Sequence, residues 1–128
     1  MRLLLDTHTL LWFVLNDPQL SRAADALITD PSNDAFVSPA TYWEIAIKVG
    51  KQKLDLLASY DEFIERGIAG NDFGILPIEP RHTSLLTTMP FYHKDPFDRL
   101  LIAQALVEQI VIVSADAVFD SYGVSRLW

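Results

Sequence analysis

The stretch Asp95-Pro96-Phe97-Asp98-Arg99-Leu100-Leu101-Ile102-Ala103-Gln104-Ala105-Leu106-Val107-Glu108 runs, after a single Gln109, into Ile110-Val111-Ile112-Val113. Asp followed by Pro is a helix-start signal: the carboxylate caps free N–H groups, and proline fits the first helical position. From Leu100 to Val107 the helix is apolar almost all round, which marks it as largely buried. The run that follows is β-branched without polar alternation, as in a strand covered on both faces. A buried helix feeding such a strand is the repeating unit of a parallel sheet with helices on both sides.

The same alternation recurs along the rest of the chain. Arg2-Leu3-Leu4-Leu5 reads as a short buried strand, Thr9 to Leu15 as a helix, and Ser21 as the cap of a second helix through Ile28. Ala35-Phe36-Val37-Ser38 is a further strand, after which Ser38-Pro39 opens a helix to Val49 that ends at Gly50. Ser59 to Ile68 is a helix, Ile75 to Ile78 a strand, and a short helix starts at Pro80. A short helix at Ala117 to Ser121 and an edge strand at Val124 to Leu127 close the chain. The expected fold class is α/β, a three-layer α/β/α domain around a short parallel sheet, with residues 1–128 as one domain.

Half of the 128 residues are hydrophobic and 21% are charged, so the chain can bury a core and disorder is excluded. There is no Cys, which removes disulfide scaffolds, thiolate zinc sites and Cys nucleophiles. The net charge of −7 argues against nucleic-acid binding by bulk basic charge, but not against carboxylates that hold cations. The longest apolar run, Leu10 to Leu15, is far short of the ~20 residues that span a bilayer. Asp6 and His8 interrupt the apolar N-terminus, so a cytoplasmic protein without a membrane segment is expected.

Four acids stand where ligands gather in such sheets, beyond the C-terminal ends of strands. Asp6 follows the first strand directly, and Asp116 lies three residues after Val113. Glu44 falls in the second turn of the Ser38-Pro39 helix, and Asp98 in the first turn of the Asp95-Pro96 helix. Each also has an ordinary reading. Asp6 and Asp116 can be helix caps, Asp98 can favour the helix dipole, and Glu44 with Lys48 can be a surface pair. Against these, Asp98 is in register with Ile102 and Ala105 on a buried row. Asp6 follows three leucines without a polar spacer, where an unpaired acid is costly. Four carboxylates with no His or Cys ligands suit Mg²⁺ or Mn²⁺ better than Zn²⁺. A pair of such ions promotes phosphodiester hydrolysis. No GxSxG, P-loop, GxGxxG or HExxH motif is present, and His8, His82 and His93 are not at zinc spacing. All three histidines read as structural or surface residues, with His93, beside Lys94 and Asp95, the best exception.

The chain resembles the PIN-domain nucleases, specifically the VapC-like toxins of type II toxin–antitoxin systems. The matching stretches, in order, are Leu3-Leu4-Leu5-Asp6-Thr7-His8, then Ser38-Pro39 with Trp43-Glu44-Ile45-Ala46-Ile47-Lys48, then His93 to Ala105, and finally Ser114-Ala115-Asp116 with Phe119, Tyr122-Gly123-Val124 and Leu127-Trp128. The resemblance implies an acidic pocket binding Mg²⁺ or Mn²⁺ and endoribonuclease action on RNA, leaving 5′-phosphate and 3′-hydroxyl ends. It places Asp6, Glu44, Asp98 and Asp116 at the catalytic and metal-binding positions, with Thr7, Asp95 and Ser114 supporting them. It also implies a small cognate antitoxin that folds over the pocket, and a homodimer.

Other classes compete with this reading. Asp6-Thr7-His8-Thr9 is near a phosphatase DxDxT loop, although His8 replaces the second Asp, and acids at strand ends also serve receiver-like domains. A non-catalytic partner-binding module would use the acids only as caps. For RNA contact, Lys48 and Arg99 are the first candidates, with Lys51, Lys53 and Lys94 beside them. A solvated helix end explains the lysines equally well. Tyr42 and Trp43 could stack on bases, but their helical spacing points to core packing.

Overall fold

The computed structural model describes residues 1–128. Five strands, β1 (Arg2–Leu5), β2 (Asp34–Val37), β3 (Gly74–Ile75), β4 (Val111–Val113) and β5 (Arg126–Leu127), form one wholly parallel sheet in the order β3-β2-β1-β4-β5. Six helices connect them: α1 (Thr7–Val14), α2 (Arg22–Thr29), α3 (Pro39–Gly50), α4 (Tyr60–Gly67), α5 (Pro80–Leu86) and α6 (Pro96–Glu108). Short 3₁₀ turns cover Ala69–Asn71 and Ala117–Tyr122. This is the three-layer α/β/α arrangement expected from the apolar strands.

The three leucines of β1 explain the layering. Successive side chains on a strand point to opposite faces. Leu3 and Leu5 enter a core with Leu10, Ile28, Ile45 and Phe63, whereas Leu4 enters a second core with Leu101, Ile102, Ile112 and Phe119. All three leucines are fully buried, each contributing about 1.5–3 kcal/mol of apolar burial.

Helix starts follow the capping chemistry. Ser21, Ser38, Ser59 and Asp95 accept hydrogen bonds from the first-turn N–H groups of α2, α3, α4 and α6. α1 begins two residues before the expected Thr9, because Asp6 accepts from Thr9 N at 2.8 Å and so draws Thr7 and His8 into the first turn. β3 is shorter than the expected Ile75–Ile78. Pro77 has no N–H to give a ladder, and the pairing ends with the bond from Leu76 N to Val37 O. Gly74 lets β3 pass close to β2, since a Cβ there would lie 2.7 Å from the Phe36 ring.

Register then fixes the site. Leu5 is paired with Val37 on one side and Val113 on the other. The next residue on each strand, Asp6, Ser38 and Ser114, therefore arrives at the same C-terminal edge. β1 lies between β2 and β4, where the order of connections reverses. Such a switch point opens a crevice beyond the strand ends.

Candidate active site

Asp6 caps α1 and is buried, with its backbone N–H bonded to Val113 O at 3.3 Å. Burial pushes its carboxyl pKa up, while hydrogen bonding by Ser114 and Thr9 draws it back. Ser114 Oγ also accepts from the backbone of Asp116 at 3.0 Å. Asp116 in turn caps the Ala117–Tyr122 turn through Val118 N. One serine thus links the two loops that carry Asp6 and Asp116.

Glu44 is not the surface acid that its spacing from Lys48 suggests. It is 4% exposed, on the face of α3 turned toward α1. Both oxygens are engaged: Thr7 Oγ1 donates to Oε1 at 2.8 Å, and Lys48 Nζ lies 2.8 Å from Oε2. The expected i, i+4 pair does form, but around a buried carboxylate.

Asp98 is the most perturbed acid. Its pKa is raised to about 7, first by burial and then by the negative charge of Asp95, with further repulsion from Asp6 and Glu44. His93 opposes this, its Nε2 lying 3.1 Å from Asp98 Oδ2 and 3.0 Å from Asp116 Oδ2. His93 Nδ1 accepts from the backbone of Asp95 at 3.1 Å. That bond leaves the ring proton on Nε2, shared between the two carboxylates. Asp95 accepts from Phe97 N and Asp98 N, so it is the helix cap.

The four acids expected to share a pocket are therefore neighbours at one sheet edge, with Thr7, Asp95 and Ser114 bonded around them. His93 joins them and was not among the expected site residues. Its partners are fixed by folding, since Asp116 is 23 positions away. The one local signal is its place just ahead of the Asp95-Pro96 cap.

Two expectations are corrected. Arg99 does not face solvent for phosphate contact: it is 5% exposed, donating to the carbonyls of Pro90 and Met89 and to the Tyr122 hydroxyl, with its guanidinium 3.9 Å over the Phe91 ring. It ties the loop before α6 to the core. Trp43 is not a core residue either. It is 59% exposed and meets Phe97 edge-on at 5.1 Å, whereas Tyr42 does pack against the core. Lys51, Lys53 and Lys94 are exposed.

The donor set fits a hard divalent cation. Asp98 and Asp116 oxygens gather with His93 Nε2 within 4.8 Å of one another, and burial together with the charges of Asp95, Asp6 and Glu44 raises the Asp98 pKa, a repulsion that a cation would relieve. A second cluster, Glu79, His82 and Glu108, does not offer the same. His82 Nδ1 accepts from Glu79 N and its Nε2 meets Glu108, so the ring has no free lone pair, and Arg81 already pairs with both acids. That cluster fastens α5 to α6.

Residues 3–124 match the sequence model of the PIN domain family. No curated protein matches the chain by sequence. Among solved structures, VapBC2 from Rickettsia felis, bound to a DNA fragment from its promoter, is similar with a TM-score of 0.68 at 15% identity, over 99% of this chain and 98% of that one. FitAcB from Neisseria gonorrhoeae gives 0.65 at 21% identity, over 98% and 96%. VapBC-1 from nontypeable Haemophilus influenzae gives 0.63 at 16% identity, over 99% and 97%. At these identities the likeness is one of fold. No helix is long and apolar enough to cross a membrane.

Proposed function

The chain belongs to the PIN-domain family, and from that premise we propose that it is a divalent-metal-dependent endoribonuclease, the toxin of a type II toxin–antitoxin pair. The observation that carries this reading is the gathering of Asp6, Glu44, Asp98 and Asp116 at one sheet edge, where His93 touches both Asp98 and Asp116, and where burial first, then the charges of Asp95, Asp6 and Glu44, raise the Asp98 pKa. Family membership disfavours the receiver-like and phosphatase-like alternatives, and a pure capping role leaves that crowding without a use.

Asp6, Glu44, Asp98 and Asp116 are the residues that would hold Mg²⁺ or Mn²⁺, directly or through water. When bound, such an ion supplies the positive charge that neutralises a phosphodiester and acidifies water for attack. The chain's own side chains prepare the site. Thr7 and Lys48 fix the orientation of the Glu44 carboxylate through a hydrogen bond to Oε1 and an ion pair to Oε2. Ser114 couples the Asp6 and Asp116 loops. His93 holds Asp98 and Asp116 together through its Nε2 proton, which it can give up at that atom. The exposed Lys51, Lys53 and Lys94 give phosphate contacts that bring RNA to an otherwise acidic protein.

The partners follow from the same premise: an RNA substrate, a small antitoxin, and a second copy of the chain as a homodimer in the cytoplasm. VapBC and FitAB complexes among the structural neighbours support an antitoxin. The test is RNA cleavage by the purified chain, free of any antitoxin, with Mn²⁺ and then with EDTA. Cleavage that needs Mn²⁺ and disappears in an Asp6→Ala, Asp98→Ala variant is expected. Cleavage that persists in EDTA or in that variant overturns the proposal.

A further inference from the structure

Lys48 is the one lysine of the α3 end that does not simply face solvent. Its side chain is 38% exposed, and its ammonium sits 2.8 Å from Oε2 of a glutamate whose other oxygen is already taken by Thr7. Each oxygen of Glu44 thus already has one partner, and the ammonium beside Oε2 holds a place and a charge that oppose a cation there. Lys48 already borders a cleft between α1 and the end of α3, together with His8, Trp12, Asp17 and Lys53, into which its four-carbon arm can turn on release. The Lys53 N–H is bonded to Lys48 O, which keeps the second lysine beside the first.

From this arrangement we propose that Lys48 is a tethered, displaceable counter-ion of Glu44: it occupies the carboxylate in place of a divalent cation and turns into the α1–α3 cleft, free to meet an RNA phosphate, when the cation arrives. The proposal rests on the metal-dependent reading of the acid cluster and adds a residue to it. The same ammonium cannot pair with Glu44 and a phosphate at once. Cation binding and phosphate binding are then coupled through one side chain, each favouring the other.

The sign of the effect separates this role from a merely structural one. A lysine that only props Glu44 in position helps metal binding, and its loss weakens it. A competing counter-ion hinders metal binding, and its loss tightens it. Mn²⁺ affinity should be measured by calorimetry at pH 8, where proton competition for the carboxylates is small, for the parent, Lys48→Gln and Lys48→Arg. The expected result is roughly tenfold tighter binding in Lys48→Gln, from relieved competition and charge repulsion, with Lys48→Arg close to the parent. Equal or weaker binding in Lys48→Gln overturns the proposal. A parent that binds no Mn²⁺ instead overturns the metal-dependent reading beneath it.

A second measurement uses the unaltered chain. Reductive methylation of lysine amines, read by mass spectrometry, should find Lys48 protected in EDTA and more reactive in Mn²⁺, with exposed Lys51 as the internal reference. Lys48 reactivity that stays constant or falls on adding Mn²⁺ counts against displacement.

Discussion

Asp98→Asn removes one negative charge from the site and leaves its shape. In the protein freed of metal, the Asp98 carboxyl is held at about 7 rather than 3.8, so the folded chain binds its proton more tightly than the unfolded chain does. The stability linked to that proton is complete below about pH 4 and is lost as the pH rises through about 7. The gap corresponds to at most about 4 kcal/mol. Asparagine does not titrate, so the variant escapes this loss. It should lie within about 1 kcal/mol of the parent at pH 4.5 and exceed it by about 2–4 kcal/mol at pH 8 in EDTA. Mn²⁺ closes most of that gap: a hundredfold excess over the dissociation constant adds about 2.7 kcal/mol to the parent and little to the variant. Urea unfolding of both proteins at the two pH values in EDTA, and at pH 8 in Mn²⁺, reads all of this. If Asp98 served only the dipole of α6, the variant would be weaker by about 0.3–1 kcal/mol at pH 8, with or without metal. That pattern would refute the crowded-site reasoning.

Mn²⁺ affinity should fall as the pH drops through about 7, because the cation must displace the Asp98 proton; calorimetry giving the same affinity at pH 6 and pH 8 contradicts this. Arg99→Lys should cost about 1–3 kcal/mol of stability by losing bonds to Pro90, Met89 and Tyr122, while the salt dependence of RNA binding stays unchanged. Replacing Lys51, Lys53 and Lys94 together by Gln should leave stability nearly intact and flatten the salt dependence of RNA binding by up to ~2 units of slope, at about 0.7 per contact; an unchanged slope returns them to ordinary solvated lysines.

The layered fold was legible because its signals are local. Capping serines, Asp95-Pro96 and unbroken apolar strands announce themselves within a few residues, and register then follows from strands buried on both faces. The four acids were legible for a related reason, since each sits at a fixed offset from a strand end or a cap. What was missed depended on contacts between distant segments. His93 meets Asp116 only after folding, and the burial of Glu44 depends on Thr7 from another element. Arg99 is a different case. The helix that carries it reads as buried almost all round, and a basic residue inside such a helix is better placed as an internal clamp than as a phosphate contact. Trp43 fails in the opposite direction: helical spacing alone assigns it to the core, but it stays more than half exposed, with Phe97 of α6 against one edge.

The most direct test of the central claim, that Asp6, Glu44, Asp98 and Asp116 form one cation site, is the position of Mn²⁺ in crystals of the chain soaked with the ion, read from its anomalous scattering. A peak is expected at the C-terminal edge of the sheet, about 2.0–2.6 Å from oxygens of at least two of these acids. No peak there, or a peak only at the Glu79–His82–Glu108 cluster, would contradict that claim.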